Sequence, residues 1–422
     1  MFLVVKKSKT CGCVRIPGSK SHTIRALFIA SLAEGRSVIT SPLISEDALS
    51  ALAVCRAFGA GIENYGDRFV VDGVNGLPSV PENIIDVGNS GTTLRFGLMT
   101  AGLIEGCTVF TGDYQIRRRP LGSLIDAMNT LGAEVFSTRG NNMAPVVVRG
   151  RLKGGRTELD AISSQYLSSI LVNAPLLDND TEVFLTRLNE IPYVEMTMWW
   201  LDNQGIKYSN DSFKTFHIKG GQKYKAFNSD IPGDFSSATF FMVLAAISGG
   251  EFILKNLDMT DPQGDKMVLD YLKDMGAAVR HTEDGISVIG GALRGIEIDM
   301  NATPDALPAM AVAGCFAEGE TRLVNVPQAR LKETDRIHTI YMELKKMGAD
   351  IEELSDGLII RNSKLRGCRV CGHDDHRIVM ALTVAGLNIE GETIIDTAEA
   401  MNVTFPDFPQ LIRDCGGYVE RV

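Results

Sequence analysis

The chain has 422 residues, a formal net charge of −10, 45% hydrophobic residues and 22% charged ones. That length exceeds one ordinary hydrophobic core, and the balanced composition excludes a disordered or low-complexity chain, so two globular domains are expected. No apolar run approaches the ~18 residues that span a bilayer, and Met1-Phe2-Leu3-Val4-Val5-Lys6-Lys7 lacks a signal-peptide core; the acidic balance argues against general nucleic-acid binding, and a cytoplasmic protein is expected.

The first polar segment in chain order is Ile16-Pro17-Gly18-Ser19-Lys20-Ser21-His22-Thr23-Ile24-Arg25, which runs into a helix pattern from Ala26 to Ala33. Pro17 and Gly18 break the preceding strand, the serines offer N-caps, and Lys20 and Arg25 stand near a helix start whose free N–H groups favour anions. A phosphate or carboxylate would sit well there, although Ser19 replaces the glycine that a P-loop requires before its lysine. A capped helix with two solvated cations is the plainer reading. Next, Ile84 and Ile85 read as a strand leading into Asp86-Val87-Gly88-Asn89-Ser90-Gly91-Thr92-Thr93-Leu94-Arg95. Its glycines let backbone N–H groups approach an anion, but small residues are common at any strand-to-helix turn.

Thr111 to Pro120 brings Arg117, Arg118 and Arg119 to the start of a helix. Like charges so close must be solvated or paired with anions; a solvated turn accounts for two, and Arg119, fixed beside Pro120, is the better ligand candidate. Leu121, Leu124, Ile125, Met128 and Leu131 then form one apolar helical stripe. Ser163-Ser164-Gln165-Tyr166 opens a helix with two hydroxyls and an amide, suited to hydroxyl or phosphate ligands or to a plain serine cap. Asp305 follows Pro304 at the head of a small-residue helix, where capping is its simplest role. In Leu331-Lys332-Glu333-Thr334-Asp335-Arg336 the i, i+4 spacing would point Lys332 and Arg336 one way on a helix. A second apolar stripe follows, Ile337, Ile340, Tyr341, Leu344 and Met347.

Cys368-Arg369-Val370-Cys371-Gly372-His373-Asp374-Asp375-His376-Arg377 precedes a last apolar helix. It gathers four residues of zinc-ligand type, but zinc sites separate their ligand pairs by a longer loop, and the carboxylates and arginine suit an anion site as well. The eight scattered cysteines read as reduced thiols.

Across all of this runs a repeat. Gly59, Gly132, Gly205, Gly276, Gly348 and Gly416 recur 68 to 73 residues apart, each ending a helix-like pattern and preceding a short strand. Strand patterns such as Gly285 to Ile289 and Gly357 to Ile360 follow. Each unit has room for two helices and several strands, and six units divide into two domains of three.

Taken together, Pro17-Gly18-Ser19-Lys20-Ser21 with Arg25, Asn89-Ser90-Gly91-Thr92-Thr93-Leu94-Arg95, Arg119-Pro120, Ser163-Ser164-Gln165, Pro304-Asp305, Lys332-Glu333-Thr334-Asp335-Arg336 and Asp375-His376-Arg377 resemble the 3-phosphoshikimate 1-carboxyvinyltransferase family, in order and over essentially the whole chain. The resemblance implies an α/β fold, a two-domain inside-out barrel with three βαβαββ repeats per domain. With the repeat it gives domains 1–18 plus 233–422, carrying Asp305, Lys332, Glu333, Arg336, His376 and Arg377, and 19–232, carrying Lys20, Arg25, Arg119 and Gln165. Hinges fall near 18–19 and 232–233.

The reaction implied is transfer of the carboxyvinyl group of phosphoenolpyruvate to the 5-hydroxyl of shikimate 3-phosphate, on the shikimate route to aromatic amino acids. Phosphate leaves through a tetrahedral intermediate, without cofactor or metal. Small molecules rather than nucleic acid or membrane are the partners, and a monomer is expected. Asp305 and Glu333 are the implied proton-transfer groups, with Lys20 and His376 as participants. Lys20, Asn89, Gly91, Arg119, Gln165, Arg336 and Arg377 match phosphoenolpyruvate contacts. Lys20, Ser21, Arg25, Ser163, Ser164, Gln165, Tyr193, Asp305, Gln328 and Lys332 match those to shikimate 3-phosphate. Gly91 leaves room that an alanine would fill, which implies sensitivity to glyphosate.

Three positions depart from one branch of the family: Glu190 stands where a serine is expected, Gln328 replaces an asparagine and Val403 a lysine. Transfer to UDP-N-acetylglucosamine is the nearest alternative, but that family carries Lys-Asn where this chain has Lys20-Ser21, and a reactive cysteine loop where it has Gly112 to Arg117. A non-catalytic anion-binding homologue is the other; intact Lys20, Asp305, Glu333 and His376 argue against it. Since each domain would hold part of the cationic set, the two should stay apart until anionic substrates draw them together.

Overall fold

The computed structural model describes residues 1–422. Its helices are α1 (Lys20–Leu32), α2 (Glu46–Ala57), α3 (Gly91–Ala101), α4 (Gly122–Thr130), α5 (Ser164–Asn173), α6 (Ile191–Asn203), α7 (Phe235–Ser248), α8 (Val268–Met275), α9 (Leu307–Phe316), α10 (Arg336–Lys346), α11 (His376–Gly386) and α12 (Phe408–Asp414). They alternate in character. α7 is apolar around its whole circumference and buries every residue from Phe235 to Ala246; α1, α3, α5, α9 and α11 are buried almost as completely. A helix that is apolar on all sides must be enclosed by protein. By contrast, α8 buries Val268, Leu269, Leu272 and Met275 and turns Asp270, Lys273 and Asp274 to solvent. None of the helices is long and apolar enough to cross a membrane.

The strands form six four-stranded sheets of one topology. In the plainest copy Ile85–Asp86 pairs parallel with Cys107–Thr111, which pairs antiparallel with Val146–Arg149, which in turn pairs antiparallel with Glu134–Ser137. Three sheets are completed by strands distant in sequence. Gly12–Arg15 lies parallel to Glu251–Lys255. Asn228–Asp230 lies parallel to Arg36–Thr40, with Ser229 opposite Ile39, and Leu3–Lys6 lies between Glu392–Ile395 and Tyr418–Arg421.

The chain divides into two compact units, a split one of Met1–Pro17 with Pro232–Val422 and an inserted one of Gly18–Ile231. Each has its own core. In the inserted unit α3 packs on both α5 and α1, with Phe28 against Phe96 at 5.4 Å between ring centroids. In the split unit α7, α9 and α11 pack on one another, and Phe241, Phe405 and Phe408 form a ring cluster. Helices inside and sheets outside make each unit an inside-out α/β barrel. All six repeat glycines have positive φ, from 67° at Gly205 to 117° at Gly276. This left-handed conformation, costly for a residue with a Cβ, lets the chain turn from the outer helix into the hairpin that follows it.

Candidate active site

In the inserted unit the anion-receptive groups sit where interior helices begin. Ser19 caps α1, its side chain accepting from the His22 N–H at 3.4 Å. Lys20 is the first residue of that helix and pairs at 3.2 Å with Asp47, itself buried at the start of α2. Nothing local points to this partner, because Ser45-Glu46-Asp47 reads as an ordinary acidic first turn. His22 accepts from the Trp200 indole at 3.0 Å, which ties the same turn to α6.

Arg25 is 2% exposed and surrounded by neutral acceptors. Its guanidinium donates to Thr197 Oγ1 (2.8 Å), the Ser21 carbonyl (3.0 Å), the Tyr193 carbonyl (2.9 Å) and Ser168 Oγ (3.4 Å). Burial pushes its pKa down to about 10, so it remains protonated at neutral pH while lacking the solvation a surface arginine enjoys. Tyr193 contributes its backbone carbonyl to this cage.

Ser90 caps α3 and Gly91 is its first residue. The open space expected beside Gly91 is taken up: a Cβ there would collide with the guanidinium ends of Arg95 and Arg119. Arg119 is buried, whereas Arg117 is spent on the Gly112 carbonyl and Arg118 lies exposed over the Tyr114 ring. The Asn89 side chain is committed to the loop that follows Cys107–Thr111, donating to Asp113 Oδ2 at 2.6 Å and to Gln115. Ser163 caps α5, and the Gln165 amide reaches Thr92 Oγ1 at 3.1 Å, which joins the starts of α3 and α5. Two helix N-termini side by side present the positive ends of two dipoles. Ser164 directs both its N–H and its hydroxyl at Glu190.

The split unit gathers charges of both signs. Asp305 lies on the turn Pro304–Ala306 and does not cap α9, whose N-cap is Ala306. It instead receives Arg336 at 2.8 Å, Arg377 at 2.9 Å and Lys332 at 3.8 Å. Lys332 and Arg336 do not share a helix as their spacing suggested. Asp335 caps α10, accepting from the His338 N–H at 3.0 Å, so α10 begins at Arg336 and Lys332 lies outside it; the two cations converge on Asp305 all the same.

Arg336, 1% exposed, also grips the fully buried Asp375 through two nitrogens, at 2.8 and 3.1 Å, and reaches Glu333. Burial works against its charge, but Asp375, Glu333 and Asp305 outweigh that and hold its pKa above the ordinary value. Asp375 caps α11, accepting from the Arg377 N–H at 2.9 Å, and places His376, 1% exposed, as the first helical residue. Gln328 is buried with its amide on the Asn301 carbonyl at 3.1 Å, and Val403 is buried. Asp265, which the sequence did not single out, is buried near Asp305 and Arg377; burial first, and the Asp305 charge second, push its pKa up to about 6.

The Cys368 to His376 segment is not assembled as a metal centre. His373 pairs with Glu343 at 2.7 Å, the Cys371 N–H donates to the same carboxylate at 3.0 Å, and no group of His, Cys, Asp or Glu side chains is placed to hold an ion.

Inside-out α/β units bearing buried cations at interior helix starts, together with carboxylates held in ion-pair clusters, define a transferase that handles small multiply charged anions. Residues 4–412 match the family model for EPSP synthase (3-phosphoshikimate 1-carboxyvinyltransferase). A 3-phosphoshikimate 1-carboxyvinyltransferase of Acetivibrio thermocellus is 68% identical over 416 residues, covering 99% of this chain and 98% of the relative. One from Ruminiclostridium cellulolyticum is 64% identical over the full length of both. A solved structure of EPSP synthase from Acinetobacter baumannii superposes with a TM-score of 0.82 at 30% identity, covering 99% of each chain. The chain belongs to the EPSP synthase family.

Proposed function

We propose that the chain transfers the carboxyvinyl group of phosphoenolpyruvate to the 5-hydroxyl of shikimate 3-phosphate, releasing phosphate. The observation that carries this reading is the convergence of Arg336, Arg377 and Lys332 on Asp305, with Glu333 held on the same arginine. Two carboxylates beside fixed cations are what an addition and elimination between two anions requires. In the addition the acceptor oxygen bonds to C2 of phosphoenolpyruvate, Asp305 takes the hydroxyl proton, and Glu333 gives a proton to the methylene carbon. In the elimination phosphate leaves C2, and the methyl group formed returns a proton. Lys20 and His376 assist. Arg25, Ser163, Ser164 and Lys332 serve the acceptor, and Gly91, Arg119, Arg336 and Arg377 serve phosphoenolpyruvate; arginine forks suit both carboxylate and phosphate.

Purified protein given both substrates in metal-free buffer is expected to release inorganic phosphate, and none when UDP-N-acetylglucosamine replaces the acceptor. The reverse preference would overturn the reading. A cytoplasmic monomer goes with it, as does substrate-driven closure of the two units. Small-angle scattering with and without both substrates tests closure, and an unchanged radius of gyration would refute it.

A further inference from the structure

Glu190 stands apart from the residues around it. It occupies the N-cap position of α6 yet makes no side-chain capping bond to that helix, and its backbone is left-handed at φ 60°, ψ 44°. That conformation is costly for a residue with a Cβ and persists where surrounding contacts enforce it. Here the carboxylate lies against the neighbouring helix instead. Oε2 accepts from the Ser164 N–H at 3.2 Å and from Ser164 Oγ at 2.7 Å, in a side chain only 2% exposed. Ser164 is the first residue of α5, so its N–H is one of the donors that an incoming anion would use. A carboxylate of the chain itself already supplies the acceptor there.

On the function proposed above Ser164 serves the acceptor, and its place at a helix start suits the acceptor's phosphate. A dianionic phosphate on the Ser164 hydroxyl would stand beside Glu190, and like charges at that range repel strongly in a partly desolvated site. We infer that Glu190 is an internal occupant of the acceptor's phosphate subsite, and that it sets specificity by admitting only a phosphate whose remaining ligand is anchored elsewhere. Shikimate 3-phosphate has such an anchor, since its carboxylate can engage the neutrally caged Arg25. Free inorganic phosphate, the product of the reaction, has none, and Glu190 keeps it from the start of α5. The occupant also satisfies two buried donors when no acceptor is bound.

The test is calorimetric titration of wild type, Glu190→Gln and Glu190→Asp with shikimate 3-phosphate, unphosphorylated shikimate and inorganic phosphate, each protein first shown to melt cooperatively. Glu190→Gln keeps an acceptor and removes the charge. It is expected to bind both phosphate ligands ~10-fold or more tightly, with shikimate changed by less than about twofold. Glu190→Asp keeps the charge and is expected to gain less than about threefold on any ligand. If Glu190→Gln binds shikimate 3-phosphate no better than wild type, or if Glu190→Asp gains as much as Glu190→Gln, the inference is overturned. Failure of the wild type to bind shikimate 3-phosphate would instead overturn the proposed function.

Discussion

Replacing Arg336 by Met probes the split unit where its charges are most concentrated. The guanidinium is 1% exposed and joins Asp375 through two nitrogens, Asp305 through one and Glu333 through one. Met has a similar length and no charge, so Asp375, with no exposure at all, and Glu333 would lose this guanidinium, while Asp305 keeps Arg377 and Lys332. Removing one partner of a buried ion pair costs about 3–5 kcal/mol, against total stabilities of about 5–15 kcal/mol. A loss of about 4 kcal/mol is therefore expected for Arg336→Met. Arg336→Lys keeps the charge but cannot fork to three acceptors, and about half that loss is expected. Urea unfolding followed by far-UV circular dichroism measures the effect, and the chain supplies its own control. Both tryptophans, Trp199 and Trp200, belong to the inserted unit, so their fluorescence should shift far less than the dichroism. The loss should also shrink from pH 8 to pH 5, because protonation of the stranded carboxylates removes their unpaired charge. A loss below about 1 kcal/mol, or one that grows on acidification, would refute the reasoning.

Gly91→Ala should displace the guanidinium ends of Arg95 and Arg119, raising KM for phosphoenolpyruvate about tenfold (~1.4 kcal/mol) and weakening glyphosate inhibition at least as much; steady-state kinetics in which only one of the two moves would separate their sites. Asp305→Ala should lower kcat by ~10²–10⁴ while shikimate 3-phosphate affinity, measured by calorimetry, falls less than about tenfold, and comparable losses would reduce Asp305 to a ligand. Asp265 has a pKa raised from 3.8 to about 6 in the folded chain. Its contribution to stability is therefore complete below 3.8 and lost as pH rises through about 6. Asp265→Asn should gain on the wild type by about 3 kcal/mol between pH 4 and pH 8, read from urea midpoints; a difference independent of pH would contradict the assignment.

What could be read in the sequence was local. A left-handed helix stop requires glycine, so six glycines at near-constant spacing announced six repeats; Ser19, Ser90, Ser163 and Asp375 announced the helix starts that carry the site. Closure of the sheets was less visible, because Ile395 lies opposite Leu3 and Ile39 opposite Ser229 with no local signal linking either pair. Within the site, residue types were legible and partnerships were not. Asp47 looks like first-turn charge, Asp375 like a cap and Glu190 like a helix lead-in, yet each turns its carboxylate to a cation or donor on another element. The Lys332 and Arg336 spacing misled because Asp335 starts the helix between them, a capping signal that Thr334-Asp335 did carry.

The two units bury a guanidinium in opposite ways. Arg25 has neutral dipoles around it, and its depressed pKa, about 10 against 12.5, corresponds to about 3 kcal/mol of lost solvation that those dipoles do not restore. An incoming carboxylate would restore much of it, so binding there is favoured by a charge already desolvated in the free protein. Arg336 is the reverse case, oversupplied with three carboxylates and held above its ordinary pKa. On the proposed function, a phosphoenolpyruvate carboxylate can bind Arg336 only by displacing one of them. Asp375 is locked by its cap to α11 and by the Thr334 hydroxyl at 3.0 Å, whereas Glu333 and Asp305 are the partly exposed members. The groups released are then the two assigned to proton transfer. Substrate binding at Arg336 would in this way free the acid and the base it is about to use, which accounts for why this arginine rests among carboxylates while Arg25 rests among carbonyls and hydroxyls.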